Sequence, residues 1–133
     1  MESTYESKIK VALNSASSIY NRVSDFNNFS AFIPNEKIKD VRCTTDTCHF
    51  TVDKIGEVGL RIIDREPYKT VKFTADGATR FNFYLWIQLK EVAPYESRIK
   101  VTLKADLNPM MKMLAGKQLQ KFVDMLADGI SKA

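Results

Sequence analysis

Asn108–Ile130 reads NPMMKMLAGKQLQKFVDMLADGI, and its apolar side chains recur at the spacing of one helix face. Successive members of this stripe lie three or four residues apart: Met111, Ala115, Leu119, Phe122, Leu126 and Ile130. The spacing predicts a single helix of about 22 residues, roughly 33 Å long at 1.5 Å per residue. A helix with one apolar stripe needs an apolar surface to cover.

The strands that precede this helix supply such a surface. Alternating patterns and turn-forming residues predict six of them, at 38–45, 48–54, 57–65, 69–76, 80–92 and 97–107. The last two have one apolar side each: Phe81, Phe83, Leu85, Ile87 and Leu89, then Ile99, Val101, Leu103, Ala105 and Leu107. This pattern is typical of an antiparallel sheet that is covered on a single face.

The N-terminal part adds a strand and two short helices. Period-2 alternation from Thr4 to Leu13 predicts a strand that buries one face: Tyr5, Ser7, Ile9, Val11 and Leu13. Asn14 and Ser15 offer cap oxygens to a helix that buries Ala16, Ile19, Tyr20 and Val23, and Asp25 offers one to a helix that carries Phe26, Phe29 and Phe32. Pro34 ends the second helix. The predicted order is strand, two helices, six strands and a long helix, an α+β domain spanning residues 1–133.

Length and charge exclude several classes of protein. A chain of 133 residues is the size of one domain. The net charge of +4 comes from 20 basic and 16 acidic residues that are scattered along the chain, so we expect no nucleic-acid partner. No apolar run reaches membrane-spanning length and the first ten residues lack an apolar leader core. We therefore expect a soluble cytoplasmic protein without stable membrane insertion.

Two cysteines and one histidine are the candidate metal ligands. Cys43 and Cys48 bracket TTDT, a loop short enough to place them opposite each other in a hairpin with disulfide geometry. In a reducing cytoplasm we expect free thiols. His49 follows Cys48, but this C-x4-C-H pattern lacks the fourth ligand of a zinc site. The sequence therefore predicts no metal site, and it has no cofactor fingerprint.

The run IYNRVSDFNNFSAFIP (Ile19–Pro34) resembles a segment of the START/Bet v 1-like (SRPBCC) superfamily, nearest its coenzyme Q-binding and polyketide cyclase-like branch. Gly59-Leu60, Trp86 in FNFYLWIQL and Asn108-Pro109 before a Met-rich helix extend the resemblance over nearly the whole chain. It implies a helix-grip fold, in which the C-terminal helix crosses a curved sheet of about seven strands. The space between the two layers is a frequent ligand site.

The leading hypothesis is therefore a binding protein for a small hydrophobic molecule such as a quinone, a lipid or a polyketide-like compound. The residues expected to contact it are Phe26, Phe29, Phe32, Leu60, Ile62, Phe83, Leu85, Met110, Met111, Leu114, Ala115 and Leu119. One alternative is a cyclase- or dehydratase-like enzyme that uses Asp64, His49 or Tyr84 as an acid or base. Another is an interaction module or homodimer that uses an outer sheet face around Tyr84 and Trp86.

Several positions have two interpretations. The three phenylalanines after Asp25 either anchor the small helices or line the cavity. The methionines of the last helix fill gaps or form a soft cavity wall. Tyr84 and Trp86 face outward on a regular strand and inward after a β-bulge. Gly116 indicates close packing, a bend, or room for a ligand.

Overall fold

One antiparallel sheet and one long helix make up most of the computed structural model, which describes residues 2–29, 38–53, 55–77 and 79–132. The strands are β1 (Glu2–Glu6), β2 (Lys10–Ala12), β3 (Ile38–Cys43), β4 (Thr47–Val52), β5 (Gly56–Glu66), β6 (Thr70–Ala75), β7 (Phe83–Ala93) and β8 (Glu96–Asp106). The helices are α1 (Ala16–Val23), α2 (Phe26–Phe29) and α3 (Pro109–Ser131).

Every pairing in the sheet is antiparallel, and the strand order is β1-β8-β7-β6-β5-β4-β3, with β2 also paired to β8. The six predicted strands after residue 37 all form, and most of their ends differ from the prediction by one or two residues. The predicted helix-grip architecture is confirmed.

The first strand differs from its prediction because it contains a bulge. Glu6 pairs with Thr102 and Lys10 pairs with Ile99. The N-terminal segment therefore covers four residues between these two pairs, whereas β8 covers three. The Ser7 hydroxyl accepts a hydrogen bond from the Val101 N–H at the break. A one-residue slip moves every later side chain to the opposite face.

The prediction of a single buried face from Thr4 to Leu13 was therefore wrong beyond Ser7. Ile9 and Leu13 are 64% and 81% exposed, Val11 is also exposed, and Ala12 is fully buried in their place.

The two short helices begin at the predicted caps. The Ser15 side chain accepts from the Ser18 N–H, and the Asp25 carboxylate accepts from the Asn27 N–H. All four predicted inward residues of α1 are buried: Ala16, Ile19, Tyr20 and Val23. Phe32 and Pro34, which were predicted to continue and end the second helix, lie outside the described residues.

The core fills the space between the concave face of the sheet and α3. The apolar sides predicted for β7 and β8 are buried throughout. Asn108 caps α3 by accepting a hydrogen bond from the Met111 N–H, and Pro109 occupies the first turn. The predicted helix stripe is confirmed, because four of its members are buried and Met111 and Phe122 pack partly buried against the core. Within the described ranges, no helix is long and apolar enough to cross a membrane.

Candidate functional site

An apolar cavity lies between α3 and the β4–β5–β7 part of the sheet. All its walls are aliphatic or phenyl side chains: Phe50, Val52, Ile55, Val58, Leu60, Phe81, Phe83, Leu85, Leu103, Leu119 and Phe122. The helix contributes Leu119 and Phe122, and the Phe122 ring stacks on Phe50 at 6.1 Å between ring centroids. No acid, base or hydrogen-bonding side chain belongs to the wall formed by these described residues.

The cavity is small in this conformation. Its volume is about 30 Å³, which is room for one or two water-sized molecules. Sites that enclose drug-sized ligands have volumes of roughly 300–1,000 Å³. The walls must therefore separate before any larger molecule can enter.

Four residues of the predicted ligand-binding set line the cavity. They are Leu60, Phe83, Leu85 and Leu119. They come from β5, β7 and α3, so the predicted sheet and helix faces meet at this point. Whether they contact a ligand stays a prediction.

Other predicted residues belong to the core beside the cavity. Ile62, Ala115 and Phe26 are buried, and the Phe26 ring lies 5.5 Å from that of Phe73. This contact favours the interpretation in which Phe26 anchors α2 to the sheet. The side chain of Phe29 and all of Phe32 lie outside the described part of the chain.

The structure places two predicted contacts away from the cavity. Met110 is 71% exposed and Leu114 is 60% exposed. The helical turn explains this, because Met110 and Leu114 each precede a residue of the inward stripe and therefore point about 100° away from it. Met111 lies between these extremes and packs partly buried against the core.

Seven wall residues were not in the predicted set: Phe50, Val52, Ile55, Val58, Phe81, Leu103 and Phe122. A usable signal existed for most of them. Phe50 and Val52 alternate along β4, Phe81 and Leu103 belong to the recognised apolar sides, and Phe122 belongs to the helix stripe. Ile55 lies in a turn and had no such signal.

Gly116 permits close packing of α3 against β1. A Cβ atom built at Gly116 would lie 3.3 Å from the Tyr5 hydroxyl oxygen. The Tyr5 hydroxyl is buried and has no hydrogen-bond partner within the described residues. Of the three interpretations of this glycine, the geometry favours close packing.

The candidate acids and bases lie on the outer face of the sheet. Tyr84 is 45% exposed and lies 6.0 Å from Trp86 between ring centroids, with the Lys72 ammonium over both rings. The regular-strand interpretation of this pair is therefore confirmed. Asp64, which simple alternation places on the same face as Ile62, instead pairs with Lys72 because a register shift separates it from Ile62.

His49 also faces outward, where its Nε2 lies 2.9 Å from the Asp76 carboxylate. Arg61 approaches the other oxygen of this carboxylate at 3.8 Å. Cys43 and Cys48 are opposite each other in the hairpin, as predicted, but they are joined by a disulfide, and the expectation of free thiols is wrong for this structure. Across the described ranges, no three His, Cys, Asp or Glu side chains are grouped to hold a metal ion.

Several solved structures share this architecture. A START superfamily protein from Mycobacterium smegmatis superposes with a TM-score of 0.67 at 18% identity, covering 98% of this chain and 94% of that one. Norcoclaurine synthase from Thalictrum flavum gives 0.73 at 14% identity, covering 98% and 85%. The fold is START/Bet v 1-like. The same plant enzyme in complex with dopamine and hydroxybenzaldehyde gives 0.68 at 15% identity, with the same coverage.

Sequence comparison adds no closer relationship, since no family model and no curated protein matches the chain. At these identities the START/Bet v 1-like neighbours establish the fold alone.

Proposed function

We propose that this domain binds a small hydrophobic molecule, such as a quinone, a lipid or a polyketide-like compound, between its sheet and α3. The observation that carries the proposal is the composition of the cavity wall, which consists of aliphatic and phenyl groups only. A ligand gains affinity there by leaving water, at about 25 cal/mol per Å² of apolar area buried. A charged or strongly polar ligand would lose its hydration without compensating hydrogen bonds.

Ligand entry requires α3 to move relative to the sheet. The cavity of about 30 Å³ is too small for a quinone ring or an acyl chain. Leu119 and Phe122 are the wall residues that α3 contributes, so displacement of this helix enlarges the cavity. The stacked pair of Phe122 and Phe50 is the contact across which the two layers separate.

The cavity chemistry favours binding over catalysis. His49, Asp64 and Tyr84 lie on the outer face of the sheet, and none is among the wall residues. A cyclase-like reaction needs an acid or base within hydrogen-bonding distance of the reacting atoms.

Native mass spectrometry of protein purified from its own host tests the proposal. We expect a stoichiometric mass increment that organic extraction releases as a hydrophobic small molecule. A second measurement titrates ligand-free protein with decylubiquinone and with palmitate. An unmodified mass together with no saturable binding of either probe would contradict the proposal.

Paired tryptophan variants locate the site. Leu119→Trp fills the cavity and should abolish binding, whereas Leu114→Trp alters a 60% exposed position of the same helix and should leave binding unchanged. Overpacking costs about 1–3 kcal/mol, so near-UV circular dichroism checks that the first variant is folded. If it is not, the smaller change Val58→Leu replaces it. Equal binding by the folded cavity variant and its control would place the ligand elsewhere.

A further inference from the structure

The N-terminal half of α3 presents large apolar side chains to solvent. Met110, Met113 and Leu114 are 71%, 87% and 60% exposed. Lys117 and Lys121 are exposed on the same side of the helix, because positions three, four, seven and eight residues apart share a face. We call these five residues the α3 outer face.

The charge of this helical segment is entirely positive. Residues 109–123 include Lys112, Lys117 and Lys121 and no Asp or Glu, and Asp124, the first acid to follow on the same face, accepts a hydrogen bond from the Gln120 side chain. Within the described part of the chain, none of these lysines has a carboxylate partner at salt-bridge distance. The α3 outer face therefore favours an anionic partner.

Its side chains indicate which class of anionic partner it fits. Protein interfaces are enriched in aromatic residues, Met and Arg and depleted in Lys. The α3 outer face has two methionines, but its charged residues are lysines and it has neither an aromatic residue nor an arginine. Helices that bind the surface of an anionic bilayer combine large apolar side chains with Lys. On the α3 outer face the apolar residues occupy the first turns and the lysines the turns that follow.

We propose that the α3 outer face docks reversibly on the surface of an anionic phospholipid bilayer. Met110, Met113 and Leu114 enter the boundary between headgroups and acyl chains, and Lys117 and Lys121 contact lipid phosphates. Each lysine near such a surface strengthens binding about fivefold, and the attraction decreases as salt screens it. The proposal does not depend on the identity of any ligand in the cavity.

Docking would place the cavity next to the membrane. Leu119 and Phe122 lie on the inward side of the helix whose outward side carries Lys117 and Lys121. A displacement of α3 by contact with the membrane would therefore move the cavity wall residues Leu119 and Phe122. If the domain carries a lipid or a quinone, α3 is the element through which loading at the bilayer takes place.

Vesicle flotation of the full chain tests the docking. Vesicles of phosphatidylcholine alone are compared with vesicles that also contain phosphatidylglycerol, at low and at high salt. We expect binding to the anionic vesicles only, and weaker binding at high salt. The proposal is overturned if the protein does not bind anionic vesicles or binds both kinds of vesicle equally. If it binds neither kind, an acidic protein is the partner to test next.

Two matched pairs of variants locate the contact. Met113→Glu should reduce binding at least tenfold, because it replaces an exposed apolar side chain that docking would bury in the bilayer by a negative charge that anionic lipid repels. Its control is Leu13→Glu, since Leu13 is 81% exposed but lies outside α3. Lys117→Gln should reduce binding about fivefold, and Lys69→Gln, at a side chain 73% exposed between β5 and β6, should leave it unchanged. Equal losses in a variant and its control place the contact elsewhere and overturn the proposal.

Discussion

Leu119→Ala tests the packing of the cavity most directly. Leu119 is 6% exposed and forms part of the wall of a cavity that already has about 30 Å³ of free volume. Each buried carbon removed costs about 0.8 kcal/mol in lost transfer free energy. A new void on the order of 60 Å³ adds about 1.4 kcal/mol at 24 cal/mol per Å³. The free energy of unfolding should therefore fall by about 4 kcal/mol.

Urea denaturation, followed by circular dichroism, measures this change. Leu114→Ala is the matched control, because it makes the same substitution on the same helix at a 60% exposed position. Its effect should stay within about 0.5 kcal/mol. The enlarged cavity should also bind a small apolar probe such as indole, which then raises the stability of Leu119→Ala more than that of the unmodified protein.

Two outcomes would refute this reasoning. A loss below about 1 kcal/mol in Leu119→Ala would mean that the side chain is not held between α3 and the sheet. Equal losses in both alanine variants would mean that they act through the helix rather than through the cavity. Failure of indole to stabilise the enlarged variant would show that the new space collapses instead of staying open.

The remaining predictions concern two glycines and one carboxylate. Gly59→Ala should destabilise the domain by about 1–3 kcal/mol in urea denaturation, because its Cβ would lie 2.1 Å from the Asp76 carbonyl oxygen. Gly116→Ala should change the free energy of unfolding by no more than about 1 kcal/mol in either direction. The higher helix propensity of Ala stabilises the helix, whereas the tight 3.3 Å contact of the new Cβ with the Tyr5 hydroxyl oxygen destabilises it. A hydrogen bond from Lys132 holds the pKa of Asp128 below its ordinary value, so NMR titration of Lys132→Met should show that pKa rising. In the unmodified protein the stabilisation from this hydrogen bond is complete above about pH 4 and is lost as the pH falls through the lowered pKa of Asp128. If the pKa of Asp128 is the same in Lys132→Met, the hydrogen bond from Lys132 is not what lowers it.

Most of the fold was predictable because its signals are periodic and local. The stripe of α3 and the alternation of β7 and β8 each repeat over more than ten residues, so tertiary context does not override them. The errors lie where one extra residue changes the register. The bulge after Glu6 turns the Ile9 side chain outward. The register shift between Ile62 and Asp64 turns the Asp64 carboxylate outward. Neither bulge has a glycine or proline to mark it.

The candidate site was less predictable than the fold because a cavity depends on several elements at once. Leu119 was found because it lies in the middle of the helix stripe. Leu114 was misplaced because the turn of the helix directs it about 100° away from its buried neighbour Ala115. Phe50 alternates with Val52 along β4, but that alternation does not show that its ring stacks on Phe122 of α3. The spacing of apolar residues in the sheet or in α3 does not reveal how far apart these two layers pack.

The two halves of α3 are held with different strength, and this difference indicates where the cavity opens. The C-terminal half has four fully buried residues: Val123, Leu126, Ala127 and Ile130. Lys10 of β2 also contacts Asp128 of this half at 3.6 Å.

The N-terminal half has only Ala115 and Leu119 buried, and Met111 is partly so. Opening free energies follow the amount of buried apolar contact, so this half separates from the sheet at lower cost. Hydrogen exchange should therefore be faster at the amides of residues 112–119 than at those of 123–130, and ligand binding should slow exchange mainly in the first group. Uniform protection along α3 would mean that the helix moves as one rigid body and that the cavity enlarges by another route.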